Sequence, residues 1–274
     1  MASRPPRLFV HLGPPKSATT ALQSFMQEWH GGWIAYKGIH QPRKGDEKSL
    51  CSRLYHAACA SPSDDAARLP LRQEILGLLG EGRDVLISEE MFLVDQHIPH
   101  QEKISRLSGF LAGLPVSVIL CLREPLDAVR SMYQELFPTL RLDQKLSFRK
   151  FLESNQAKVF DYRHLTGMLE SSGAWDIRII RFEDLVGGRL DFNAIFGIEK
   201  DAPRIRLARQ NAALSASGPG ERHLGPVTTP WIPLTIRRAG SRRLDFPLEV
   251  SDRLVSGWKE AMEAHAVVNT GYGH

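Results

Sequence analysis

The sequence predicts an α/β fold with a central parallel β-sheet flanked by helices, and three observations predict it. Four apolar runs, at 7–13, 84–88, 116–123 and 176–185, read as buried strands. Stretches with helical spacing follow the first and the third, the alternation that joins parallel strands through crossover helices. Finally, each run ends on chemically pointed residues: Gly-Pro-Pro-Lys, Glu-Glu, Arg, and Glu-Asp. Ligands of parallel sheets gather at that carboxyl edge.

The first run, "RLFVHLG", alternates apolar positions and breaks at Gly13, Pro14 and Pro15; helical spacing resumes over 19–29 through Leu22, Phe25, Met26 and Trp29. Residues 30–66, rich in Gly, Pro, Lys and Ser, read as a surface excursion with one short helix near "KSLCSRLYHAACA". "GRDVLISEEMF" predicts a strand over Asp84–Ser88 with Glu89 and Glu90 at its end. "VSVILCLR" predicts a strand ending at Arg123, after which Pro125 opens an amphipathic helix, "LDAVRSMYQELF". "DIRIIRFEDL" reads as the fourth strand. Beyond 200 the pattern fades; 216–245, rich in Pro, Gly and Arg, reads as a lid or surface excursion. Val250, Leu254, Trp258 and Met262 keep a four-residue step and predict a closing helix. There is no internal repeat, and the whole of 1–274 reads as one domain.

Composition narrows the partners. Apolar residues make up 42% and charged residues 24% of the chain, ordinary for a globular protein. The net charge of +4 favours acidic ligands without calling for nucleic acid. The longest apolar stretch, 116–122, falls far below the roughly 20 residues of a membrane helix. No membrane span is expected, and with no secretory pattern at the start the expected location is cytoplasmic. Cys51, Cys59 and Cys121 match no zinc or redox spacing and read as free thiols.

The turn "GPPKSATT" lacks the Gly-Lys-Ser/Thr ending of a Walker A loop, which disfavours a nucleoside triphosphatase. It still suits an anion, because a turn entering a helix presents unpaired N–H groups and the positive end of the helix dipole, with Ser17, Thr19 and Thr20 as further donors. The plainer alternative is that these hydroxyls only cap the helix. A second cluster, "CLREPLDAVRSMY", places Arg123 at a strand end and Ser131 eight residues on, within the following helix. A planar guanidinium suits a phosphate dianion through paired hydrogen bonds. The alternative for Arg123 is an ion pair with Glu124 or Asp127.

Together the two clusters resemble the PAPS-dependent sulfotransferase family. Pro15-Lys16-Ser17-Ala18-Thr19-Thr20 resembles its 5'-phosphosulfate loop, and Arg123-Glu124-Pro125 with Ser131 resembles its 3'-phosphate motif. "RFEDL" at 181–185 and "RQNAALS" at 209–215 are similar to further segments, so the likeness spans 7–215. It implies a three-layer sandwich like that of P-loop nucleotide-binding proteins. The implied donor is 3'-phosphoadenosine 5'-phosphosulfate (PAPS), with 3'-phosphoadenosine 5'-phosphate (PAP) as product and no metal. Ala18 departs from the family glycine; a positive φ there would be strained, whereas an ordinary helical first turn costs nothing and is expected.

The resemblance divides the roles. Amides of 17–20 with Thr19 and Thr20 would hold the 5'-phosphate, Arg123 and Ser131 the 3'-phosphate, and Lys16 the charge growing on the leaving oxygen. For the base that deprotonates the acceptor the order is Glu89, then His56, then Glu90. The acceptor is a hydroxyl, with an amine ranked behind it, on a glycan or other small molecule. Trp29, Trp33 and Tyr36 are read as core before sugar stacking, and Arg237, Arg238, Arg242 and Arg243 as a solvated run before a glycan site. Arg181, Glu183 and Asp184 either line the adenine or end a strand; Asn211 and Ser215 either meet the nucleotide or cap a helix. The competing classes are a P-loop small-molecule kinase and a non-catalytic binder of anionic polymers.

Overall fold

A computed structural model describes residues 4–28, 34–41, 43, 48–60, 68–95, 97–173, 175–197 and 246–267. The first half of the fold runs β1 (Leu8–His11), α1 (Thr19–Glu28), β2 (Ile34–Tyr36), α2 (Leu50–Cys59), α3 (Arg68–Gly80), β3 (Asp84–Ser88), α4 (His100–Leu111) and β4 (Val116–Leu122). After β4 come α5 (Pro125–Leu136), three short helices α6 (Leu142–Leu146), α7 (Phe148–Leu152) and α8 (Asn155–Lys158), then α9 (Tyr162–Ser172) and β5 (Asp176–Arg181). The rest comprises α10 (Phe182–Val186), α11 (Phe192–Phe196), α12 (Leu248–Ala264) and a two-residue β6 (Ala266–Val267). All five strand pairings are parallel, in the order β2-β3-β1-β4-β5-β6.

Strand alternation builds the three layers. Leu8, Val10 and Leu12 enter the larger core with Val116, Val118, Leu120, Ile177 and Ile179, against α2, α3, α4, α5, α9 and α12. Phe9, Leu86, Ile119, Cys121 and Ile180 point the other way and meet α1, α10 and α11 through Leu22, Met26, Leu185, Ile195 and Phe196. A two-residue period thus sends each strand into two cores, as expected of a sheet covered on both faces. The α/β fold class read from the sequence is the fold observed.

Three details differ from the sequence reading. Residues 30–66 are not only a surface excursion: Ile34–Tyr36 is a parallel edge strand on β3, and α2 buries Leu50, Cys51, Leu54 and Ala58. The fourth strand stops at Arg181, and residues 182–186 coil into α10, because Leu185 turns into the smaller core. Helices α3, α4 and α6 to α9 carry no strong signal in the reading above, since the two faces of a partly buried helix blur its period. The closing helix is present as α12, with Leu254 buried and Val250, Trp258 and Met262 packed on the core. The excursion at 216–245 lies outside the described residues, and among those described no helix is long and apolar enough to cross a membrane.

The strand order places the site. From β1 the chain runs outward on one side to β2 and β3, and β4 then lies on the other side of β1 and leads to β5. Connections that leave β1 and β4 in opposite directions open a crevice between their carboxyl ends. Residues 12–18 and Arg123 border that crevice. The opposite, amino edge is tied by charge: Arg4 and Arg7 bond Asp84, and Arg7, Arg178 and Ser117 converge on Asp176.

Candidate functional site

β1 ends because Gly13, Pro14 and Pro15 follow Leu12, and proline offers no N–H to continue a ladder. The turn closes on itself: Ser17 Oγ donates to the Pro14 carbonyl at 2.5 Å. Gly13 is required by close approach, since a β-carbon there would fall 2.0 Å from Thr19 Oγ1. The first helical bond of α1 runs from Leu22 N to Ala18 O at 3.1 Å, so the amides of Thr19, Thr20 and Ala21 have no partner within the helix. Ala18, at the capping position, has no side-chain acceptor to offer them. Thr19 Oγ1 is buried and has no hydrogen-bond partner among the described residues. Pro15 and Ser17 are buried in the turn, and Thr20 is half-buried beside it.

The loop is strained. Lys16 has φ 69° and Ala18 φ 62°, both in the left-handed region that favours glycine. This corrects the expectation that Ala18 occupies an ordinary helical turn. Each such residue costs about 1–2 kcal/mol, which the surrounding packing must offset. Backbone strain of this kind concentrates where a loop is shaped for a ligand.

Arg123 reaches across the crevice to this loop. Its Nη1 lies 3.5 Å from the Lys16 carbonyl, its guanidinium sits over the Phe182 ring at 4.9 Å, and its own carbonyl accepts from Tyr162 Oη at 2.9 Å. Asp127 Oδ2 is 3.9 Å from Nη2, so the ion pair weighed from the sequence exists at long range. Glu124 does something else: it caps α5 by accepting from Asp127 N at 2.7 Å. Ser131 is half-buried on α5. Asp127, Ser131 and Glu135 follow at four-residue steps, which puts them on one stripe of that helix. The stripe faces the loop, because Lys16 Nζ donates to Glu135 Oε2 at 2.6 Å. Both motifs of the sequence therefore meet in one crevice.

The carboxylates at the end of β3 separate sharply. Glu89 is buried, accepts from Arg43 Nη2 at 2.7 Å, and caps the 3-10 turn Glu90–Phe92 by accepting from Met91 N at 3.0 Å. Glu90 is half-buried, and burial together with the Glu89 charge pushes its carboxyl above the usual range, with Glu135 adding to and Lys16 and Arg43 opposing the shift. Lys103, buried on α4, clamps the same turn by donating to the Met91 carbonyl and to Val94 O at 2.6 Å. His56 lies exposed on α2 with its ring 5.7 Å from that of Tyr55; no contact among the described residues joins it to the loop.

A polar ladder supports the loop from the smaller core. His11 Nδ1 lies 2.8 Å from Ser88 Oγ, Gln23 Nε2 donates to Ser88 O and Oγ, and Gln41 Nε2 donates to Gln23 Oε1 at 2.7 Å. His11 also lines a cavity of about 10 Å³ with Leu22, Met26 and Phe196, and burial lowers its pKa to about 4, so it stays neutral. Tyr36 and Cys51 pack near the same strand ends, where burial pushes both their hydroxyl and thiol pKa values up.

Sequence reasoning missed Glu135, Phe182 and Arg43. A signal existed for the first, four residues past Ser131 on a helix; Arg43, in a stretch without periodicity, left none. Glu183 is exposed and Asp184 is bound by Arg189 Nε at 3.1 Å, so the part of "RFEDL" that reaches the crevice is Phe182. Trp29, Trp33, Asn211, Ser215 and the arginines at 237, 238, 242 and 243 lie outside the described residues. A groove of about 670 Å³ lined by Gly113, Pro115 and Trp175 opens at the amino edge of the sheet, away from the loop. Compared with protein-family models, with curated proteins and with solved structures, the chain matches none.

Proposed function

We propose that the protein is a sulfotransferase that moves a sulfuryl group from PAPS to a hydroxyl, or second in preference an amine, of a carbohydrate or other small acceptor. The observation that carries this reading is the meeting of two separate cationic motifs across one crevice, with Arg123 Nη1 3.5 Å from the carbonyl of Lys16. An adenosine donor with phosphate at both ends needs two anion sites, and the loop amides and the Arg123 guanidinium supply two. The Thr19 hydroxyl, without a partner among the described residues, is a donor in want of an acceptor.

In the reaction the acceptor oxygen attacks sulfur as the bond from sulfur to the 5'-phosphate oxygen breaks. The acceptor proton passes to a carboxylate, and PAP leaves. Lys16 meets the charge that grows on the departing phosphate; a fixed cation in such a place is worth on the order of a hundredfold or more in rate. Glu90 suits the base better than Glu89, because Glu89 is occupied by Arg43 and by its capping bond, while Glu90 is partly open and more basic than a free carboxylate. His56 stands too exposed and too detached for that role. We place the enzyme in the cytoplasm, in keeping with its free cysteines.

The test is a thermal-shift comparison of PAP, 5'-AMP and ATP with magnesium. PAP should raise the melting temperature clearly more than 5'-AMP, since only PAP fills the Arg123 side. Equal shifts for PAP and 5'-AMP would remove the assignment, and a magnesium-dependent preference for ATP would point to a kinase.

A further inference from the structure

We propose that Glu135 is the resident counter-ion of the anion loop, holding the Lys16 ammonium in the ligand-free protein and yielding it to the phosphosulfate end of the donor. The inference rests on the sulfuryl-transfer reading of the crevice and names the residue that competes with the donor for the loop cation.

Three observations support it. Lys16 Nζ and Glu135 Oε2 are 2.6 Å apart, and Lys16 is the partner of Glu135 among the described residues. Both ends of the pair are anchored: the Lys16 backbone is fixed at φ 69° beside Arg123, and α5 is packed into the core through Ala128, Val129, Met132 and Tyr133. The contact therefore reports the geometry of the crevice rather than a chance meeting of two mobile side chains. Finally, the pair is exchangeable, because its side chains are 34% and 58% exposed and ion pairs in such positions are weak. A doubly charged ligand that also collects loop amides outcompetes one carboxylate.

Glu135 lies within electrostatic reach of Glu90, where its charge opposes ionisation of that carboxyl while the Lys16 charge favours it. The two partners of the ion pair thus act on Glu90 with opposite sign, and Glu135 is a positioning residue for the Lys16 ammonium.

The experiment is a double-mutant cycle read by calorimetric titration of PAP at low salt into the wild-type chain, Glu135→Gln, Lys16→Met and the double variant. Glu135→Gln should bind PAP about three- to tenfold more tightly than wild type, a gain that shrinks as salt is added. The double variant should bind like Lys16→Met alone. Unchanged or weaker binding by Glu135→Gln overturns the proposal, as does an equal gain in the Lys16→Met background, which would mark a general field effect. If the wild type fails to prefer PAP over 5'-AMP, the sulfuryl-transfer reading falls. The same cycle titrated with inorganic pyrophosphate then reads the exchange itself: a gain that needs Lys16 supports it, and no gain overturns it.

Discussion

Thr19 carries a buried hydroxyl with no partner among the described residues, which is costly in a folded protein unless a ligand satisfies it. Thr19→Val keeps the branched shape and removes the oxygen. Without ligand the variant should therefore melt at the same temperature as wild type or up to a few degrees higher. Its affinity for PAP should fall about tenfold, the loss of roughly one hydrogen bond to a charged group. Calorimetry of binding beside differential scanning separates the two effects, and a variant that loses stability but not affinity would show that the hydroxyl belongs to the fold. The same residue explains Gly13, whose missing β-carbon makes room for Thr19 Oγ1. Of this loop the sequence displayed the residue types but not the backbone. Ala18 looks harmless in a row of letters, and only its φ of 62° reveals that the alanine occupies a glycine's conformation.

At the scale of elements, the turn after β3 assigns different work to adjacent glutamates. Glu89 is the cap and the buried end of the Arg43 ion pair; Glu90 faces the crevice. Glu89→Gln keeps an acceptor for Met91 N but loses the charge, and should cost about 2 kcal/mol of stability with turnover largely retained. Glu90→Gln should melt like wild type and lose most of its turnover. Because burial and the Glu89 charge raise the Glu90 carboxyl, the acid limb of the wild-type rate profile should lie above the ordinary carboxylate range, with activity falling as the pH drops through it. A profile unchanged by Glu90→Gln would exclude it as the base. Sequence spacing could not order these two carboxylates. Adjacent residues at a strand end point in opposite directions, and which of them turns inward was decided by Arg43, from a stretch without a readable period, and by Lys103, one helix further on.

For the whole molecule, the buried histidine at the centre of the sheet links stability to pH. The unfolded chain takes up a proton at His11 as pH falls through about 6.5, while the folded chain resists until about 4. Stability from this group is therefore complete above 6.5 and drains between those values, by about 3 kcal/mol in all. Melting curves from pH 7 to pH 4 should show the decline, and His11→Asn should flatten it. A decline of the same size in the variant would assign it to other groups. The layered architecture was legible because buried strands leave apolar runs, nearly continuous in β4 and broken by arginine in β5, and the crevice was legible because its motifs sit at the ends of β1 and β4. The edge strand β2, three residues long, and the short helices α6, α7 and α8 were not, since short elements carry too few residues to display a period.

The order of the strands also governs how the chain is made. β1 pairs only with β3 and β4, so Leu8 must wait for Val85 on one side and Val116 on the other. At typical synthesis rates about 5–20 s pass between the appearance of the first strand and that of its second neighbour. During that interval the buried apolar residues of β1, with the strained loop that follows them, have no sheet to join.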